Sequence, residues 1–182
     1  MATAKTGSFY LTETVTIPTG TAVGSVVQGT IDLGAYVNVA TGQAVAIESV
    51  DFIWQIGADY QGGLSAATAN DCAWSAQLSD LNPGTAMLRA DNQSLIASAL
   101  LNIDDSNNVG TEVADFYPDN FGPAAQSEAF MVVNDSLYLT AGNGATITQD
   151  VINLTARIKC RVVKLASKDW MAIAIQSTAS DN

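Results

Sequence analysis

The chain predicts an all-β fold, two antiparallel sheets packed face to face in one domain. Three observations lead there. The stretch Ile152 to Leu165, INLTARIKCRVVKL, places Ile152, Leu154, Ala156, Ile158, Cys160 and Val162 on one parity and Asn153, Thr155, Arg157, Lys159 and Arg161 on the other. Such period-two alternation marks a strand with one face in a core. Turn signals recur along the chain, among them Pro18 to Gly20, Thr41-Gly42, Asn82-Pro83-Gly84 and Gly142-Asn143-Gly144. Helix and strand patterns do not alternate, which argues against a parallel α/β sheet.

Taken in order, Ser8 to Ile17 alternates as a strand, with Glu13 on the apolar parity as expected at a sheet edge. Gly24 to Leu33 is a second strand, with Tyr36 to Val39 as its continuation. Gln43 to Gly57 is a third, apolar on both parities around Ile53, as in the middle of a sandwich. Residues 58 to 70 read as a loop, Asp71 to Leu78 as a short strand with Cys72, Trp74, Ala76 and Leu78 inward. Asp91 to Leu101 is the helix candidate: Asp91 can cap it, and Leu95, Ile96, Ala99 and Leu100 form a helical stripe. Residues 104 to 121 read as a long polar loop. Ala129 to Val133 and Leu137 to Thr140 are strands, the 152–165 strand follows, and Trp170 to Gln176 reads as the last strand. Residues 1–7 and 177–182 read as frayed tails. About eight strands and one short helix in 182 residues favour a single jelly roll over an immunoglobulin-like sandwich.

Composition narrows the function. Apolar residues make up 48% and charged residues only 14%, against roughly 25% in ordinary globular domains, so much of the surface is uncharged or covered by a partner. The formal net charge is −11, which argues against general nucleic-acid binding. Fourteen Asp against four Glu, with four Lys, fits a life in high salt, where self-repulsion is screened. The chain has no histidine, which removes Ser-His and Cys-His nucleophiles and His-ligated zinc. With no phosphate-binding glycine loop either, the sequence predicts no enzyme. No stretch is apolar enough to span a membrane, and MATAKTGS lacks the apolar core of a secretion signal.

Four groups of residues are candidates for a role. Five of the seven cations, Arg157, Lys159, Arg161, Lys164 and Lys168, fall in one twelve-residue stretch that holds no acid. The row either meets an acidic partner, most simply another copy of the chain, or faces acids of an adjacent strand such as Asp51 or Glu48. Asp104, Ser106 and Asn108 have the one-three-five spacing of a calcium loop, with Asp115 at position twelve and Asp119 beyond. Val109 stands where that loop's sharp turn needs glycine. Cys72 and Cys160 are two free thiols or one disulfide. Phe116, Tyr117, Pro118 and Phe121, with Trp54, Trp74 and Trp170, are the aromatic residues from which a sugar-binding face would be built.

GQAVAIESVDFIWQ near residue 50, VVNDSLYL near 135 and the closing DWMAIAIQ resemble the single jelly-roll major capsid proteins of tailless icosahedral viruses of halophilic archaea and related bacteria, which enclose an internal membrane. The resemblance covers Gln43 to Gln176. It implies a jelly roll without enzymatic activity, synthesised in the host cytoplasm and located in the virion. It further implies capsomers built with copies of itself or a second capsid protein, close to the internal membrane, with no cofactor beyond a structural calcium or other cation. A carbohydrate-binding β-sandwich and a surface-layer or filament subunit are the alternatives.

Overall fold

The computed structural model describes residues 2–63, 67–68, 70–107, 109–114, 129–147 and 150–179. Ten strands and one helix make up the regular structure: β1 (Thr3–Ala4), β2 (Phe9–Ile17), β3 (Val26–Asp32), β4 (Gln43–Ile56), β5 (Cys72–Ser79), β6 (Leu95–Asp104), β7 (Val109–Ala114), β8 (Phe130–Val132), β9 (Ser136–Asn143), β10 (Ile152–Lys164) and α1 (Ser167–Ala179). They form two antiparallel sheets. In the first, β10 lies between β4 and an edge made of β1 and β2, and β8 flanks β4. In the second the order is β3-β9-β5-β6-β7. The chain changes sheets at six of its nine strand-to-strand connections, so sequence-distant strands become neighbours: β2-β10-β4-β8 faces β3-β9-β5-β6. That is the strand order of a single jelly roll, with β1 and β7 as short additions.

The long alternating stretch is β10, and it lies centrally in its sheet. Ile152, Leu154, Ala156, Ile158 and Cys160 enter the core between the sheets, where they meet Trp74, Leu78, Leu137 and Leu139 of the opposite sheet. Burying a side chain of this size contributes about 1.5–3 kcal/mol, so this face of β10 is a large part of the favourable free energy of folding.

Strand β4 serves two cores because it carries a β-bulge. Lys159 of β10 pairs with Ser49, but the next residue, Cys160, pairs with Ile47, which leaves Glu48 as the extra residue. Before the bulge the odd residues Val45 and Ile47 face the inter-sheet core. After it the even residues Val50, Phe52 and Ile56 do. Ala44 and Ala46 therefore point outward, and with Val133, Val163 and Leu165 they form a second apolar cluster against Trp170, Ile173 and Ala174 of α1.

Two elements correct the sequence reading. Residues 91–101 are not a helix. Ala97, Ala99, Leu101 and Ile103 bury their side chains on one parity, and β6 pairs with both β5 and β7. Two flanking strands outweigh the modest helical propensity of Ala and Leu. Asp91 lies instead 3.5 Å from Arg89, and Asn92 closes the turn by accepting from the Ser94 N–H and hydroxyl. Conversely, Trp170 to Gln176 is not a strand but part of α1. Trp170, Ile173, Ala174 and Ser177 share the i, i+3, i+4, i+7 spacing that meets the sheet, and Asp169 sits favourably in the first turn. Tyr36 to Val39 does not extend β3. Residues Val39–Thr41 form a 3-10 turn that Asn38 caps through a 3.2 Å bond from the Thr41 N–H. Residues 109–114 of the expected long loop are strand β7. The frayed tails differ as well: Thr3 and Ala4 pair with Lys164 and Val163, Lys5 N–H donates to the Val162 carbonyl, and Ser177 is buried.

Gly42 ends the 3-10 turn at φ +69°, and a Cβ there would lie 2.6 Å from the carbonyl oxygen of Leu165, the residue that leads into α1. Gly84 has nearly the same φ, +68°, with open space around it. Gly42→Ala is expected to lower the unfolding free energy by about 1–3 kcal/mol more than Gly84→Ala, because only the first adds a backbone clash to the left-handed strain. Chemical denaturation of the two variants measures the difference.

Candidate interaction surface

The bulge decides what the basic row of β10 does. It turns the Glu48 side chain onto the outer face of the sheet, between the outward residues Lys159 and Arg161. Lys159 Nζ lies 3.4 Å from Glu48 Oε2 and an Arg161 guanidinium nitrogen 3.1 Å from Oε1. The Ser8 hydroxyl reaches the same carboxylate, 3.0 and 2.9 Å from its two oxygens. The Glu48 side chain is 8% exposed and that of Arg161 12%, so this is a largely desolvated ion pair whose charges depend on each other. The intramolecular alternative therefore accounts for Lys159 and Arg161. Arg157 lies two residues away, opposite Asp51 in the register, with its guanidinium 5.1 Å above the Tyr10 ring. Lys164 and Lys168 are exposed, at the end of β10 and the start of α1.

Helix α1 is held at its far end by a polar cluster. The Ser177 hydroxyl donates to Asp80 Oδ2 at 2.9 Å, and Asn134 Nδ2 donates to the Asp80 carbonyl at 2.9 Å and lies 3.0 Å from Ser177 Oγ. Asp80 is 3% exposed and its Oδ1 has no hydrogen-bond partner among the described residues. Burial raises the Asp80 carboxyl to about 6, offset in part by the Ser177 bond. Beside it, a cavity of about 260 Å³ is lined by Asp80, Gln93, Phe130, Met131, Ile173 and Gln176, among others.

The other candidates separate. Cys72 and Cys160 are free thiols, one in each sheet, so the disulfide does not form. Stacked sheets lie about 10 Å apart, beyond the reach of a disulfide unless the two Cβ atoms converge. Burial pushes the Cys160 thiol up to about 12, with the Glu48 charge adding to it; burial also raises Cys72. Both are therefore poor nucleophiles. Asp104 is held in a turn, accepting from the Asn107 side chain at 2.7 Å and its N–H at 3.0 Å, and these bonds lower its carboxyl. Ser106 is exposed, while Asn108, Asp115 and Asp119 lie outside the described residues. Strands, not helices, flank the turn, and no three metal-ligating side chains come together among the described residues. Trp74 is fully buried and donates to Asn143 Oδ1 at 3.1 Å, Trp54 packs against it at 6.3 Å, and Trp170 lies between α1 and the sheet. Trp54 and Trp170 are half-buried, and the three are not gathered on one exposed face: Trp54 and Trp74 pack with the inter-sheet core, and Trp170 with the outer cluster. Phe116, Tyr117, Pro118 and Phe121 lie outside the described residues.

Among the described residues, bases occur at only one end of the sandwich, while acids occur at both. Asp59, Asp71, Asp104, Asp105 and Asp150 all lie at the end where β2 and β4 finish and β5 and β10 begin, without converging on one point. Asp59 and Asp150 flank Gly57, and the Asp105 N–H donates to Asp71 at 2.8 Å. No Lys or Arg belongs to this end among the described residues. The opposite end, where β10 finishes, holds Lys5, Lys164 and Lys168, interspersed with Asp32, Asp80, Asp135 and Asp169. Sequence reasoning found the clustered bases but not the acidic end, because its five carboxylates come from three separate loops.

No family model matches the chain, and no curated protein does. It is similar to chains in two solved virus structures. One, from mud crab dicistrovirus, is 17% identical, with 88% of this chain and 70% of that chain covered and a TM-score of 0.35. The other, from desmodium yellow mottle tymovirus, is 8% identical, with 88% and 91% covered and a TM-score of 0.27. The strand order itself defines the class: a single jelly-roll β-sandwich with a C-terminal helix on its outer face.

Two outcomes follow from the charged groups. Removing Glu48 leaves Arg161 desolvated without its carboxylate, so Glu48→Ala is expected to lower the unfolding free energy by about 3–5 kcal/mol. The exposed Arg157→Ala is expected to cost no more than about 1 kcal/mol, both read from urea titrations. Asp80 has the opposite sign to an ordinary paired acid. Its folded value lies above the unfolded one, so the native state binds the proton more tightly, and stability falls as pH rises from about 4 through about 6. Asp80→Asn is expected to be more stable than the parent at pH 7, by up to about 3 kcal/mol, with the advantage gone near pH 4. Denaturation of both proteins across that range measures the difference; an advantage constant with pH would show that Asp80 does not titrate there.

Proposed function

We propose that this chain is a structural capsid protein that assembles with copies of itself into the shell of a virion. The observation that carries the reading is a single jelly roll with one end that bears aspartates and no base among the described residues, and with Lys5, Lys164 and Lys168 at the other, beside Asp32, Asp135 and Asp169. The base-free end of one copy attracts the lysines of another more than it attracts its own kind, and such a difference favours one mode of association over others. The low charge content agrees, since uncharged surface is what subunits cover. Within the same reading, a second capsid protein is a further partner, a structural cation in the 104–115 region a possible ligand, and the excess of acids an adaptation to high salt.

Native mass measurement tests the reading. Species well above the 18.9 kDa of one chain are expected. Raising salt from about 0.1 to 1 M shortens the Debye length from about 10 to 3 Å and should raise the melting temperature by relieving repulsion among the acids. A protein that stays monomeric throughout, with a flat melting temperature, is not this kind of subunit.

A further inference from the structure

The outer face of α1 does not look like a face made for water. A surface helix ordinarily sets polar and charged residues opposite its buried stripe, and a helix apolar on both sides is usually covered on both. The inward stripe of α1 is Trp170, Ile173, Ala174 and Ser177. Outward stand Met171, 59% exposed, Ile175, 62% exposed, and Ala172, with Lys168 one turn before Met171 and Ala172. Met171 and Ile175 are one turn apart and so adjoin on the surface. Lys164 stands just before the helix, and the turn bearing exposed Val39 is tied to its start by the Leu165 N–H donating to the Gly42 carbonyl.

The acidic end has the complementary composition. Beside its five carboxylates it exposes Val23, Tyr60 and Val109. The connection 18–25, which carries Val23, is held there by the Gly24 N–H donating to the Asn143 carbonyl. Val109 opens β7 after the Asp104 turn, and Tyr60 follows Asp59. One surface is thus apolar and bordered by Lys164 and Lys168, with Asp169 on its flank, and the other apolar with a rim of anions, at different places on the same molecule.

We propose that the outer face of α1, with Lys164 and Lys168, docks on the acidic end of a second copy of this chain. The contact is heterologous, head to tail, and leaves each copy with a free face of each kind. It therefore closes into rings or propagates, as a shell requires and an isolated two-fold dimer does not. The occupant is a second copy because its acidic end matches the cations in charge and the helix in apolar content. The proposal rests on the self-assembly reading above and adds the surfaces through which assembly occurs.

Sedimentation velocity at about 0.1 M salt, where the Debye length is about 10 Å, tests it with three variants of the full chain. Met171→Asn with Ile175→Asn removes the apolar face, Lys164→Glu with Lys168→Glu reverses the cations, and Asp59→Lys with Asp105→Lys reverses the acidic end. All six side chains lie at the surface, so unchanged melting curves are expected, which separates lost association from lost folding. Each variant alone is expected to associate at least about tenfold more weakly than the parent. An equimolar mixture of the two charge-reversed variants is expected to recover association, which no general loss of stability would produce. A parent that self-associates while all three variants match it overturns the α1 contact and leaves self-assembly standing. A parent that is monomeric at every concentration overturns both.

Discussion

The bulge at Glu48 is the constraint on which the rest of this jelly roll depends. One extra residue reverses the parity of β4, so a single strand sends Val50, Phe52 and Ile56 into the inter-sheet core and Ala44 and Ala46 outward. The outward alanines, with Val163 and Leu165, make an apolar patch on a sheet face that would otherwise meet water. That patch requires a cover, and α1 supplies it. The same bulge turns Glu48 toward Lys159 and Arg161 and sets one anion among cations that would repel one another. If Glu48 were instead paired in regular register, the parity would run on unbroken: Val45 and Ile47 would face outward, and the carboxylate would turn toward the core rather than stand between the two cations.

Electrostatics then operates at two scales. Within the subunit, Glu48 takes the bases of β10 into a desolvated local network, where geometry matters more than net charge. Across the molecule, the remaining lysines sit at one end and a group of aspartates at the other. The first arrangement stabilises the fold. The second is the arrangement on which the proposed self-association rests, acting through encounter and register more than through affinity. Asp80 belongs to neither. It is a buried acid that bonds α1 to the turn between β5 and β6, and its environment favours the proton over the charge.

The strands were legible in the sequence wherever one face alone meets the core. The β10 pattern was readable because its even residues are apolar and its odd ones polar, and the edge role of β2 was readable from Glu13. The stretches 91–101 and 170–176 were not, because short Ala- and Leu- or Ile-rich runs satisfy both the helical and the strand period. What settled them was the neighbours: β6 has β5 and β7 on either side, while α1 has an apolar patch beneath it. Local preference is worth tenths of a kcal/mol per residue, and two ladders of backbone hydrogen bonds or a buried Trp outweigh it.

By itself, then, the sequence determined an all-β sandwich, an acidic molecule without histidine chemistry, and a cluster of bases on one strand. These follow from composition and from a period of two, both of which are local. Only the tertiary structure decided that Glu48 is a bulge residue and the partner of Lys159 and Arg161. It also decided that Trp170 packs against the outer patch of the sheet, that the cysteines are unpaired, and that five aspartates from separate loops share one end. Each of these depends on which distant residues become neighbours, and in a jelly roll nearly every neighbour comes from far along the chain.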